Sequence, residues 1–146
     1  MQDLENQLKK CRPESIKLIV VDGVFSMEGD LPDLPKIVEL KHKYNATIMV
    51  DEAHGIGVFG RNGRGVCDHF GLTNEVDLIM GTFSKSLASI GGFIAADSTI
   101  INWLRHNART YIFSASNTPA ATASALEALH ILQQEPERFD TLGLLR

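Results

Sequence analysis

Short apolar runs alternate along this chain with longer segments of helical periodicity. Four such runs predict strands: SIKLIVVDGVF (15–25), ATIMVDEAH (46–54), VDLIMGTFSKS (76–86) and GGFIAAD (91–97). The first run is continuously apolar and rich in Ile and Val, which is typical of a strand buried on both faces of a parallel sheet. The chain ends with segments in which polar and apolar residues recur with a helical period.

Helical patterns precede, separate and follow the predicted strands. Each helix begins at a residue suited to the N-cap or the first turn, namely Asp3, Asp33 with Pro35, Ser98, and Thr118 with Pro119. We expect the first helix to end near Cys11–Pro13. We expect the last to run to about Gln134 with Ala125, Leu126, Leu129 and Leu132 on its buried side.

Strands that alternate with helices predict an α/β fold, with a mainly parallel sheet and flanking helices. In such sheets ligands bind beyond the carboxyl ends of the strands. Polar side chains that can take part in binding or catalysis follow three of the apolar runs. They are Ser26, Asp51, His54, Thr82, Ser84 and Lys85. The sequence therefore predicts a binding site at that edge of the sheet.

Composition excludes several classes of function. A net charge of −4 over 146 residues and the absence of a dense Lys/Arg run argue against a nucleic-acid partner. Neither a signal peptide nor an apolar run long enough for an integral membrane segment is present, so we expect a cytoplasmic protein. Cys11 and Cys67 fit no metal-site spacing, and reduced thiols are expected rather than a disulfide.

The segment VDEAHGIGVFG (50–60) contains the letters DEAH, and GTFSKS (81–86) superficially suggests a phosphate loop. Together they would suggest an ATP-driven helicase. A P-loop, however, requires GxxxxGK[ST], because its glycines let backbone amides wrap the phosphates. Ser84 stands before Lys85 where that motif has glycine, and no other match occurs. ATP hydrolysis is therefore rejected.

An acid, a histidine and a lysine at strand ends suit pyridoxal phosphate. The cofactor needs a lysine amine for its aldehyde, a carboxylate for its pyridine nitrogen and donors for its phosphate. Lys85 can supply the amine and Asp51 the carboxylate, and a histidine such as His54 near the ring hydroxyl can hold the ring plane. Each has a simpler interpretation: Asp51 caps the next turn, His54 lies at the surface, and Lys85 is solvated. Their joint position after buried strands favours the cofactor.

Several motifs in the same order resemble one enzyme family. VDEAHGIGVFG, GRGVCDHFGL and GTFSKSLASIGGFIAA resemble the α-oxoamine synthases, which are fold-type I pyridoxal-phosphate enzymes that join an amino acid to an acyl-CoA. The resemblance implies three catalytic roles. Lys85 would form the Schiff base, Asp51 would pair with the pyridine nitrogen, and His54 would bond the ring hydroxyl.

The same resemblance implies further cofactor contacts. Thr82 matches the phosphate ligand three residues before the lysine, and Ser84 would be a second. Ser26, in VFSMEGD, matches a serine on the same side of the cofactor as the ring hydroxyl. Ser114, in YIFSAS, resembles a hydroxyl offered to the phosphate in the neighbouring subunit of a homodimer. No metal site is implied.

Within the family, TFSKSLASIGGF is more similar to the soluble, homodimeric serine palmitoyltransferases of bacteria than to the GT[LF]GKA pattern of other branches. This branch condenses L-serine with a long-chain acyl-CoA, such as palmitoyl-CoA, to give 3-ketodihydrosphingosine, the first step of sphingolipid synthesis. Glycine C-acetyltransferase and 8-amino-7-oxononanoate synthase are the alternative reactions. The segment YIFSASNTPAA departs from the common pattern, and the acyl and amino-acid specificity stays open.

The resemblance covers only the central part of such enzymes. Residues 1–136 would be the central part of the large cofactor domain, incomplete at its N-terminal side, and residues 137–146 would begin the connection to a C-terminal small domain. A catalytically inactive fragment is therefore an alternative from another class. A non-catalytic partner subunit is disfavoured, because such subunits typically lack the lysine. The roles of Cys11, Cys67, Arg105 and Arg109 stay open.

Overall fold

A four-stranded sheet dominates residues 1–138, the part of the chain that the computed structural model describes. Its strands are β1 (Leu18–Asp22), β2 (Thr47–Asp51), β3 (Leu78–Thr82) and β4 (Gly92–Ala96), and they lie in chain order across the sheet. β1, β2 and β3 are parallel, and β4 is antiparallel to β3. The predicted α/β fold with a mainly parallel sheet is confirmed.

Helices flank and connect the strands. The described elements are α1 (Gln2–Lys10), α2 (Leu34–Tyr44), α3 (Val66–His69), α4 (Ser98–Asn107), α5 (Arg109–Ile112) and α6 (Pro119–Gln134). The four predicted helices are present, whereas the short helices α3 and α5 were not predicted. Two predicted helix starts are confirmed, because Asp33 accepts the N–H of Lys36 at 3.2 Å and Thr118 accepts that of Ala121 at 3.3 Å as N-caps.

Two predicted caps are wrong by one or two residues. Asp3 lies in the first turn of α1, since Met1 occupies the N-cap without a side-chain cap bond. An acidic residue there still favours the helix through the dipole. At α4 the N-cap is Asp97, whose carboxylate accepts the N–H of Thr99 at 2.8 Å, so Ser98 begins the helix instead of capping it.

The hydrophobic core lies between one face of the sheet and the helices α1 and α2. α2 places its apolar stripe on the sheet because its buried positions follow the helical period. The core residues are Leu8, Ile19, Leu34, Ile37, Val38, Leu40, Ala46, Ile48, Val50, Cys67 and Val76. This packing fixes β2, and with it the loop that follows β2.

The opposite face of β1 contradicts the sequence-based expectation. Ile19 is 6% exposed, whereas Leu18 and Val20 are 54% and 60% exposed, so β1 is buried on one face only. Leu126 and Leu129 of α6 are also exposed, contrary to prediction, while Ala125 is buried. The reason is the same in both places: within residues 1–138 no element covers these side chains.

Two further expectations concern the C-terminal residues and membrane-spanning segments. The predicted connection at 137–146 lies outside the described residues, apart from 137 and 138. None of the helices within residues 1–138 combines the length and apolar composition that a membrane crossing requires.

Candidate active site

Two neighbouring parallel strands, β2 and β3, bring Asp51, His54, Thr82, Ser84 and Lys85 to one edge of the sheet. β2 ends at Asp51, whose register partner on β3 is Met80. β3 continues for two more residues and ends at Thr82. Asp22, the last residue of β1, is the register partner of Asp51 and lies on the same face of the sheet. Asp22 was not among the predicted site residues, although it directly follows the four apolar residues LIVV of β1.

Lys85 and His54 meet at this edge. The Nζ atom of Lys85 lies 3.0 Å from Nε2 of His54, although the residues are 31 positions apart. Lys85 belongs to the loop after β3 and is exposed, and His54 lies half-buried in the turn after β2. An exposed amine held against an imidazole can act as a nucleophile and exchange a proton with its neighbour.

The hydrogen bonds of Asp51 are compatible with both of its predicted roles, the cap of a turn and the partner of a cofactor. Its Oδ1 atom accepts the N–H of Ala53 at 2.8 Å, so the carboxylate does cap the following turn. Its Oδ2 atom has no hydrogen-bond partner among residues 1–138. One carboxylate oxygen is therefore fixed by the turn, and the other is available to a ligand.

Hydroxyl groups precede Lys85 in the same loop. The Oγ1 atom of Thr82 and the Oγ atom of Ser84 are 2.9 Å apart, and the backbone N–H of Ser84 donates to Thr82 Oγ1 at 3.2 Å. Thr82 also donates to the carbonyl of Gly91 at 3.1 Å, which closes the loop onto β4. Hydroxyl and amide donors gathered in a turn are suited to bind an anion such as phosphate.

Two serines that sequence analysis left aside hold the lysine loop in place. Ser86 donates to the carbonyl of Ile56 at 2.8 Å, and Ser89 donates to that of Ala121 at 2.6 Å. Gly57, with a φ of +79°, lies so close to Ser86 that a Cβ atom would collide with it. Ser86 and Ser89 follow the lysine in a loop of small residues, and this position is the sequence feature that could have identified them.

Ser26 and Ser114 make no hydrogen bond to the cluster of Lys85, Asp51 and His54 within residues 1–138. Both are exposed. The hydroxyl of Ser114 donates to the carbonyl of Thr110 in its own segment. The cofactor roles of both serines stay predictions.

A buried carboxylate also escaped sequence analysis. Glu52 is 0% exposed and accepts the backbone N–H groups of Val66 and Cys67 at 2.9 and 2.7 Å. Burial, together with the nearby Glu52, raises the pKa of the Cys67 thiol. Cys67 and the exposed Cys11 are both free thiols. Within the described residues, no group of His, Cys, Asp and Glu side chains could hold a metal ion.

The chain is similar in sequence to curated enzymes. The family model described as aminotransferase class I and II matches residues 1–142. The serine palmitoyltransferase of Bacteroides ovatus is 85% identical over 142 residues, which are 97% of this chain and 36% of that enzyme. The 8-amino-7-oxononanoate synthase of Thermosipho melanesiensis is 52% identical over 142 residues, with the same coverage of both chains. The chain thus spans about a third of the length of these relatives.

Solved structures agree with this similarity. A variant of the serine palmitoyltransferase from S. paucimobilis, with a bound PLP–myriocin aldimine, superposes with a TM-score of 0.90 at 38% identity, over 95% of this chain and 35% of that one. The serine palmitoyltransferase of Sphingomonas wittichii gives a TM-score of 0.85 at 41% identity, over 90% of this chain and 33% of that one. The chain belongs to the aminotransferase class I and II family.

Proposed function

We propose that this chain is the central part of the cofactor domain of a pyridoxal-phosphate-dependent serine palmitoyltransferase. The full enzyme would condense L-serine with a long-chain acyl-CoA to give 3-ketodihydrosphingosine, CoA and CO2. In this proposal residues 1–136 belong to the large domain, and the enzyme works as a cytoplasmic homodimer. The observation that carries the proposal is the 3.0 Å approach of Lys85 Nζ to Nε2 of His54, which follows Asp51 by three residues.

The donor set fits pyridoxal phosphate. Lys85 supplies an amine for the aldehyde, and Asp51 supplies a carboxylate oxygen that the fold leaves without a partner within residues 1–138. Thr82 and Ser84 place two hydroxyls beside the lysine for the phosphate, although in this structure Thr82 donates to Gly91 and the two hydroxyls bond to each other. All four residues belong to β2, β3 or the loop after β3, which is the edge where ligands of parallel sheets bind.

Bound there, the cofactor supplies an electron sink for the carbanion of the amino acid. Asp51 would hold a proton on the ring nitrogen and so keep that sink effective. The amine of Lys85 would take the proton from the α-carbon of serine. His54 would donate to the ring hydroxyl and fix the ring plane, and its Nε2 atom lies 3.0 Å from the amine of Lys85.

The choice of reaction within the family rests on the degree of similarity. The serine palmitoyltransferase of Bacteroides ovatus is 85% identical to this chain, against 52% for the 8-amino-7-oxononanoate synthase of Thermosipho melanesiensis. Ser84 and Ser86 on either side of Lys85 also depart from the GT[LF]GKA pattern of other branches. The second candidate is 8-amino-7-oxononanoate synthesis, because several such enzymes share about half of the residues.

The cofactor role can be tested in a full-length chimaera in which residues 1–142 replace the matching segment of the Bacteroides ovatus enzyme. We expect the chimaera to show the visible absorbance of lysine-bound pyridoxal phosphate and to lose it on Lys85→Ala. Lys36→Ala, which removes an exposed lysine of α2, is the matched control and should leave the band unchanged. A band of normal intensity in the Lys85→Ala variant would refute the assignment.

A second chimaera tests the reaction itself. The corresponding segment of the Thermosipho melanesiensis synthase is placed in the same Bacteroides ovatus scaffold, and both chimaeras are assayed with L-serine and palmitoyl-CoA. We expect turnover from the first and little from the second, since Ser84 and Ser86, on either side of the lysine that acts on serine, depart from the pattern of the other branches. Equal turnover would mean that this segment does not determine the reaction, and the narrower proposal would then lose its support.

A further inference from the structure

Glu52 is a fully buried carboxylate that the proposed mechanism does not use. It directly follows Asp51, and it is 0% exposed. A buried carboxylate is costly unless hydrogen bonds compensate for the loss of water. Here each oxygen accepts one backbone donor, because Oε2 accepts the N–H of Val66 at 2.9 Å and Oε1 accepts that of Cys67 at 2.7 Å.

Glycines from three separate loops make room for this carboxylate. A Cβ atom on Gly23, after β1, would lie 3.0 Å from Oε2 of Glu52, and one on Gly65, before α3, would lie 2.6 Å from its Cδ atom. A Cβ on Gly55, in the turn after β2, would collide with Oε2 outright. Because glycine stands at each of these three positions, the three loops can pack directly around the Glu52 carboxylate.

The backbone of Glu52 ties the same point to the lysine-bearing side of the sheet. Its N–H donates to the carbonyl of Met80 on β3 at 2.8 Å, and its carbonyl accepts the N–H groups of Gly55 and Ile56, each at 3.0 Å. The turn that carries Asp51 and His54 is thus held by the main chain on one side and by the buried carboxylate on the other. A shift of Glu52 would move both residues relative to Lys85.

We propose that Glu52 is a positioning residue: its buried carboxylate holds Asp51 and His54 in the orientation in which they act with Lys85. The proposal rests on the proposed function of this site. Within residues 1–138 the Glu52 carboxylate makes no hydrogen bond to Lys85 or to the Asp51 side chain. It acts through the turn between them, which it fastens to the start of α3.

The test uses the Bacteroides ovatus chimaera and its Glu52→Gln variant. Glutamine keeps one acceptor oxygen, but its NH2 group faces a backbone N–H, so one of the two bonds is lost and two donors are left facing each other. We expect the variant to bind pyridoxal phosphate on Lys85 with a weakened visible circular dichroism per bound cofactor. We expect kcat to fall about tenfold or more, with the KM for L-serine changed much less.

Leu40→Ala is the matched control, since Leu40 is buried in the middle of α2 and its loss destabilises the core. It should lower the melting temperature while the circular dichroism of the cofactor and kcat at a lower temperature stay unchanged. Val66→Pro is the second variant, used if Glu52→Gln does not fold. Val66 is the first residue of α3, where proline is tolerated, and the change removes the donor to Oε2 while leaving the carboxylate.

The outcomes separate the two proposals. If the unmutated chimaera does not bind pyridoxal phosphate on Lys85, the proposed function fails. If it binds but neither Glu52→Gln nor Val66→Pro alters the circular dichroism or kcat beyond the change seen in Leu40→Ala, the positioning role is overturned and the proposed function stands.

Discussion

Asp68 of α3 fastens the loop that leads into that helix, and its protonation should control the stability of this part of the chain. Its Oδ2 atom accepts the backbone N–H of Arg61 at 2.7 Å and the Nε–H at 3.2 Å, and Oδ1 accepts from Nη2 at 2.7 Å. The Arg61 guanidinium and this backbone bond lower the pKa of Asp68 from 3.8 to about 2.

The size of the effect follows from linkage. Each unit of pKa corresponds to about 1.4 kcal/mol, so the full shift would contribute roughly 2.5 kcal/mol to folding. The Asp68 side chain is 6% exposed, but that of Arg61 is 80% exposed, and solvent screens the pair. We therefore expect about 1–2 kcal/mol. Because the folded pKa is depressed, this stability is present above pH 4 and is lost as the pH falls towards 2.

Urea unfolding of the 146-residue chain and of its Asp68→Asn variant, between pH 3 and pH 7, measures this contribution. At neutral pH the variant should be less stable by about 1–2 kcal/mol. The difference should narrow below pH 4, because protonated Asp68 and asparagine are both uncharged. A difference that stays constant across the whole range would show that the charge on Asp68 contributes nothing and would refute the reasoning.

Two further predictions concern the surroundings of the buried carboxylate. Gly65→Ala should destabilise the chain by more than about 2 kcal/mol, because a Cβ atom would collide with Glu52 and the φ of +103° disfavours alanine. Gly29→Ala is its control for backbone strain alone, with a φ of +74° and open space, and equal losses in urea unfolding would exclude the collision. In thiol labelling of the folded chain, Cys11 should react and Cys67 should not, because burial raises the pKa of Cys67. Labelling of both at equal rates would contradict its burial.

The sequence was sufficient to predict a mainly parallel sheet and the edge of that sheet at which His54 and Lys85 both lie. Apolar runs that end abruptly in polar residues mark strand ends, and parallel strands present those ends at one edge. The predicted strands were too long, however: the run at 46–54 contains only the five residues Thr47–Asp51 as a strand. The turn after it is held by side-chain bonds, such as that of Asp51 to Ala53, which periodicity does not reveal.

Glu52 shows why part of the site could not be predicted. Next to Asp51 in DEAH, a second acidic residue is indistinguishable from a solvated one, since single acidic residues are mostly exposed. Its burial depends on glycines 29 positions before it and 13 after it, at Gly23 and Gly65, and on two backbone donors at the start of α3. The local sequence does not predict α3, because a helix of four residues is too short to show a helical period of apolar positions.

The wrong prediction for β1 bears directly on the proposed function. Val20 is 60% exposed, yet its run is as apolar as that of a strand buried on both faces. Register places Val20 beside Met49, and one step further along the same face stand Asp22 and Asp51. The carboxylate assigned to the cofactor therefore lies on the face that the described residues leave open to water. Charges interact far more strongly where water is excluded. If the proposed function is correct, the remaining two thirds of the enzyme must cover this face, and the 146-residue chain alone should bind pyridoxal phosphate weakly and turn over no substrate.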